Sequence, residues 1–223
     1  MKHRFLAFFS GFPNHHFTDE IVNRFRKELT QRDNLVFVSA WPSDYERNDD
    51  DCEGMYNMFV ECNLPFANHC VIDNRTEALQ AAQLISKASC IFLMGGHPEL
   101  QYELIREKGL DKAICNATAA VLGVSAGSIN MAKRSLDTKE SLVPYDGLGL
   151  ADITIKPHFE IDNQQVLSDL LQVSMELPIF ATEDYSAIFV SGNEISFTGT
   201  VHWVNMGTIC PLSQEILSIY NKQ

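Results

Sequence analysis

Short apolar runs alternate along the chain with amphipathic stretches of helical period. Residues 5–10, 35–40, 70–72, 90–94 and 119–124 are apolar without alternation and are closed by Gly, Pro or a polar residue, which predicts strands buried on both faces. Between them, Ile21, Phe25 and Leu29 recur at helical spacing behind Thr18, a cap residue followed by Asp19 and Glu20 at the positive end. Residues 45–63 carry Met55, Met58 and Phe59 at helical offsets, and Thr76 opens a segment with Leu79, Ala82 and Ile85. Pro98 and Gly109 bracket a further helix whose buried face is Leu100, Leu104 and Ile105. Residues 126–133 are compatible with another.

Farther on, residues 153–155 predict a strand, and Asp162 caps a helix bearing Val166, Leu167, Leu170 and Leu171. Residues 179–182, 187–190 and 195–198 predict strands, the last two joined as a hairpin through Ser191-Gly192-Asn193-Glu194. This order implies an α/β fold. It is a three-layer sandwich with a mostly parallel central sheet flanked by helices, and antiparallel strands at the C-terminal end. No internal repeat or low-complexity linker divides it, so residues 1–223 are expected to form a single domain.

Composition narrows the function classes. The 223 residues are 45 % hydrophobic and 21 % charged, enough for a full core. The formal net charge of −12 argues against nucleic acid or an anionic membrane as a partner. The run Asp49-Asp50-Asp51 reads as a solvated loop rather than a metal site. Six cysteines occur with no CxxC pair, and Cys70, Cys90 and Cys210 lie in apolar stretches, as expected for reduced thiols in the cytoplasm. The basic start and apolar residues 5–9 are too short for a signal-peptide core.

One motif carries chemistry. Gly123-Val124-Ser125-Ala126-Gly127 follows an apolar run and precedes a helix-compatible stretch. G-x-S-x-G in that setting makes a sharp strand-to-helix turn, a nucleophile elbow that exposes the serine in a strained conformation. The serine needs a base, and the base an orienting acid. His158 closes the strand at 153–155, and strand ends of a parallel sheet are where active sites gather. Asp137, Glu140, Asp146 and Glu160 are all candidates for the acid, with Glu140 placed between the elbow helix and the histidine. The Gly95-Gly96 turn can offer one backbone N–H and Ala126 another to an oxyanion.

Together the segments IFLMGGHPELQ, LGVSAGSINMA, ITIKPHF and ATEDYSAIFV resemble the dipeptidase E and cyanophycinase family of serine peptidases, whose fold is like that of class I glutamine amidotransferases. The resemblance implies Ser125 as nucleophile, His158 as general base, Glu140 as the acid, and Gly96 and Ala126 as oxyanion donors. It implies a short-peptide substrate; a monomer or homodimer is expected, and the elbow together with the lack of a clustered metal-ligand motif predicts no metal or cofactor. Two positions depart from the family pattern. His97 follows the glycine pair, where it can contact substrate or cap a helix. The stretch after His158 holds only acids and amides, which argues against an aspartate side chain at the cleaved bond unless Arg134 or Lys156 supplies a cation. Two alternatives compete: an α/β-hydrolase esterase with His202 as base, and a peptide-binding module without turnover.

Overall fold

The computed structural model describes residues 4–136, 144–192 and 194–220. Strand β1 (Phe5–Phe9) sends Leu6 and Phe8 into one hydrophobic cluster and Phe5, Ala7 and Phe9 into another. It is therefore buried on both faces, as its unbroken apolar run requires. β2 (Asn34–Val38), β3 (Asn68–Ile72), β4 (Cys90–Leu93) and β5 (Ala120–Val124) join it in parallel, in the spatial order β1-β5-β4-β2-β3. Two short strands, β6 (Arg134–Ser135) and β7 (Tyr145–Asp146), pair with each other, and β8 (Ile155–Lys156) and β9 (Ile179–Thr182) run parallel. The hairpin β10 (Ala187–Ser191) and β11 (Glu194–Thr198) adds antiparallel strands beside β1, completing seven.

Helices cover both faces. α1 (Asp19–Glu28) and α2 (Tyr45–Glu61) supply Ile21, Phe25, Met58 and Phe59 to a phenylalanine-rich layer with Phe9, Phe37 and Phe92. On the opposite face α3 (Ala78–Lys87), α4 (Pro98–Glu107), α5 (Asp111–Asn116) and α6 (Ala126–Met131) contribute Ala81, Ile85, Leu104, Ile105, Ile114 and Met131. α7 (Gln164–Val173) packs its Leu170 with Phe159, Ile179 and Val204. The expected three-layer α/β sandwich with a mostly parallel sheet is present. Among the described residues no helix is long and apolar enough to cross a membrane.

Several local expectations change. A second, four-stranded sheet stands beside the first: β12 (Val201–Asn205) and β13 (Thr208–Pro211) extend β9 and β8, and α8 (Gln214–Tyr220) follows. Asp49–Asp51 is not a loop but part of α2, whose cap is Asp44. Glu77, not Thr76, stands at the N-cap of α3, because the Thr76 hydroxyl instead accepts the Asp73 N–H at 3.4 Å. Leu79 is 74 % exposed, since the buried stripe of α3 runs through Ala81 and Ile85, and two residues turn a helix by about 200°. Leu100 is 40 % exposed, and the neighbouring Gln101 is buried in its stead. α7 is capped one residue later than expected, by Asn163, which accepts the Val166 N–H at 3.2 Å.

Candidate active site

β5 ends at Val124 and α6 begins at Ala126, so one residue makes the whole turn. Ser125 makes it with φ 51° and ψ −110°, a conformation that L-residues rarely adopt. Its N–H is held by the Phe9 carbonyl at 3.0 Å, and Ser128 beneath it donates its hydroxyl to the Phe9 or Gly123 carbonyl. The glycines of the motif serve close approach. A Cβ on Gly127 would lie 2.0 Å from the Leu93 carbonyl oxygen, and one on Gly123 would lie 2.7 Å from the Gly127 backbone.

The imidazole comes from the segment after β8. His158 Nε2 lies 2.9 Å from Ser125 Oγ, and Nδ1 lies 2.7 Å from Asp184 Oδ1. A carboxylate only accepts, so Nδ1 carries the proton and Nε2 is free to accept from the serine. His158 also has a positive φ of 52°, and Tyr185, next to Asp184, has 63°. Such conformations persist where surrounding contacts enforce them. Here the His158 N–H donates to Ser10 Oγ at 2.7 Å, Phe159 N–H to the Thr182 carbonyl at 3.0 Å, and Tyr185 N–H to the Gly11 carbonyl at 2.9 Å. The buried Ser10 hydroxyl also reaches the Thr182 carbonyl at 3.0 Å and Asp184 Oδ1 at 3.2 Å. Gly11 has no room for a side chain, because a Cβ would come within 2.5 Å of Asp184 Oδ1 and 2.6 Å of His158 Cε1.

The acid on the histidine is thus Asp184, which the sequence reading did not select. Glu140, the residue expected there, and Asp137 lie outside the described residues. Asp146 is bonded to Arg134 at 2.7 Å, and Glu160 lines a cavity beside His158. Asp184 follows the buried strand β9 just as His158 follows β8, and that shared strand-end position was the signal available. His202, the base of the esterase alternative, sits on β12 and bonds Glu183 at 2.8 Å, with its ring 5.2 Å from Phe159. It does not reach the serine.

Gly95 and Gly96 follow β4 and face the same turn. A Cβ built on Gly95 would be 3.6 Å from Ser125 Cβ, and Gly96 has φ +141°. The N–H groups of Gly95, Gly96 and Ala126 donate to no other described residue. Buried amides fix this turn. Gln101 Nε2 donates to the Val38 and Met94 carbonyls at 2.9 and 3.0 Å, and Asn130 Nδ2 to the Pro98 carbonyl at 2.8 Å and to Gln101 Oε1 at 3.1 Å. His97 occupies the N-cap position of α4 but its side chain makes no cap bond. It lies edge-on to Trp41 with centroids 4.4 Å apart.

Two cavities flank Ser125 and His158. One, of about 300 Å³, borders Gly95 and Val124, and the other, of about 360 Å³, borders His158 and Asp184 and holds Glu160, Asp162 and Glu183. Among the described residues, neither lining contains a lysine or arginine. Among the described residues no group of three or more His, Cys, Asp or Glu side chains is arranged to hold a metal ion. The buried thiols of Cys52 and Cys90 are poor nucleophiles in this setting. Burial pushes the Cys52 thiol up to about 12 and raises Cys90 further still.

The sequence model described as peptidase family S51 matches residues 6–198. A peptidase from an acI-B1 Actinobacterium has a similar structure, with a TM-score of 0.73 at 12 % identity over 95 % of each chain. A candidate peptidase E from Listeria monocytogenes EGD-e gives a TM-score of 0.66 at 20 % identity, over 88 % of this chain and 98 % of that one. No curated protein sequence matches the chain. At these identities the two structures speak to the fold.

Proposed function

The chain belongs to peptidase family S51, the dipeptidase E family, and is a serine-type peptidase; on that premise we propose that it hydrolyses short peptides through a Ser125–His158–Asp184 triad and an acyl-enzyme. One observation carries the reading: the unbroken chain from Asp184 Oδ1 to His158 Nδ1 at 2.7 Å and from His158 Nε2 to Ser125 Oγ at 2.9 Å. Ser125 Oγ attacks the peptide carbonyl as its proton passes to Nε2, and Asp184 stabilises the imidazolium that forms. The oxyanion is met by the N–H of Ala126 and by the Gly95-Gly96 turn. Each such donor contributes about 2.7–4 kcal/mol to the transition state. The C–N bond breaks, and the imidazolium returns its proton to the leaving amine. Water then attacks the Ser125 ester, gives its proton to Nε2, and frees the carboxylic acid and the serine.

Short peptides suit cavities of this size, and Asp50 and Asp51 in the cavity beside Gly95 attract a free amino terminus. An aspartate side chain at the cleaved bond finds no cation among the described residues of either lining. Arg134 is bonded to Asp146 at 2.7 Å, and Lys156 to the Pro157 carbonyl at 2.7 Å. The reading further takes the protein to be a cytoplasmic single-domain enzyme, monomeric or homodimeric. It takes it to work without metal or cofactor and with no nucleic-acid or membrane partner, the last supported by its charge of −12.

A fluorophosphonate probe tests the proposal. It should label Ser125 in the wild type and fail on Ser125→Ala and His158→Ala, with dipeptide turnover lost in both. Turnover that survives Ser125→Ala would overturn the mechanism, and a folded wild type that neither labels nor turns over would make this a binding module.

A further inference from the structure

We propose that the cavity beside Gly95 and Val124 receives the side chain of the residue whose carbonyl Ser125 attacks, and that it selects a basic head on an aliphatic stem. The inference rests on the triad proposed above and specifies its substrate. The side follows from proton transfer. His158 must deliver a proton to the departing amine, so the leaving residue lies on the side of His158. The acyl residue then lies on the opposite side of Ser125, where Gly95 and Val124 open into the second cavity.

The lining is of two kinds. Phe12, Met55, Met58, Met94 and Val124 give an apolar interior, and three thioethers adapt to an unbranched stem. His15, Asp50 and Asp51 complete it with polar groups. Residues 50, 51, 54, 55 and 58 of α2 share one helical face, which brings carboxylate and thioether into one cavity. The charges of this helix are unequally spent. Asp49 makes two bonds to Arg75 at 2.6 and 2.9 Å, and Asp51 faces Arg47 at 3.3 Å. Asp50 has no ion-pair partner among the described residues and lines the cavity. A lysine or arginine can lay its methylenes on the methionines and carry its head to Asp50. An acidic side chain would meet uncompensated negative charge there. About 300 Å³ suits one long side chain. Gly54 leaves this wall open, since a Cβ there would meet nothing within 4 Å.

The test is a dipeptide series with one fixed leaving residue and Lys, Arg, norleucine, Ala or Asp as the acyl residue, read as kcat/KM. Lys over norleucine should be about tenfold or more in the wild type, and the ratio should shrink with added salt. Asp50→Asn should bring the ratio toward unity, and Asp50→Lys should invert it. Gly54→Leu should lower Lys and norleucine together relative to Ala. Ratios within one variant cancel any loss of folded enzyme, and the wild-type salt series decides alone if a variant does not fold. A wild type that prefers norleucine to Lys, or an unchanged ratio in Asp50→Asn, overturns the proposal. If neutral dipeptides are cleaved and Ser125 labels, only this inference falls. If nothing is cleaved or labelled, the triad falls with it.

Discussion

The turn that presents Ser125 lies within residues 123–131 of one chain segment, whereas the arm that presents His158 and Asp184 is held by Ser10, a residue 172 positions before Thr182, to whose carbonyl it bonds. The first is a steric solution. Two strand and helix backbones approach so closely that Gly123 and Gly127 admit no Cβ. The second is a hydrogen-bond solution, in which one buried hydroxyl accepts from the His158 backbone and reaches the Thr182 carbonyl and Asp184. Both hold a positive φ on a residue of the proposed triad, at Ser125 and at His158. Local crowding leaves a local signature of small residues. Long-range bonding leaves none, because any of several carboxylates and hydroxyls could have served.

The comparison is sharpened first by changing the proposed nucleophile on one side and the carboxylate that holds His158 on the other. Ser125→Ala should lower kcat by on the order of 10⁶ while the melting temperature holds, since a methyl group fits where a hydroxymethyl stood. Asp184→Asn should lower kcat by about 10⁴, because the amide permits the wrong imidazole tautomer. Glu140→Gln, measured beside it, should leave most of the rate. If the two results were exchanged, the acid at His158 would have to be reassigned.

Next come the supports, which should fail in different currencies. Gly127→Ala pushes a Cβ against the Leu93 carbonyl at 2.0 Å, a contact that must be relieved by moving β4 or α6. Overpacking of this kind costs about 1–3 kcal/mol, so denaturant midpoint and activity should fall together. Ser10→Ala removes a buried hydroxyl and strands the His158 N–H. Its stability cost is also about 1–3 kcal/mol. Its distinguishing mark should be a kcat roughly tenfold lower with KM unchanged, since about 1.4 kcal/mol of lost orientation acts on the transition state alone. A rise in KM instead would place Ser10 in substrate binding.

The same contrast explains what the sequence disclosed. The succession of strands and helices and the elbow were legible because each is written in contiguous residues: apolar runs at 5–10 and 90–94, and glycines flanking Ser125. His158 was legible as the end of an apolar run. Asp184 was not, because its role depends on β9 lying next to β8 in a second sheet. The runs at 153–155 and 179–182 are each readable as strands, but two short apolar runs do not disclose that they pair with each other. Leu79 and Leu100 were misplaced for a related reason: helical spacing gives a stripe, but which stripe faces the sheet is settled by packing.

The smallest expected effect has the opposite sign to Gly127→Ala. Gly54 lies inside α2, where glycine carries the full entropic cost of a helical backbone with no turn or close approach to justify it. Nothing lies within 4 Å of a Cβ built there, so alanine adds no clash. Gly54→Ala is expected to stabilise the fold by about 0.8–1 kcal/mol, the intrinsic helix-propensity difference. For a chain of this size that corresponds to roughly 2–4 °C in melting temperature. The identical substitution, glycine to alanine, should therefore raise the midpoint at 54 and lower it at 127. A lowered midpoint in both would mean that α2 packs against something at Gly54, and that the wall of the cavity beside Ser125 is closed where the structure leaves it open.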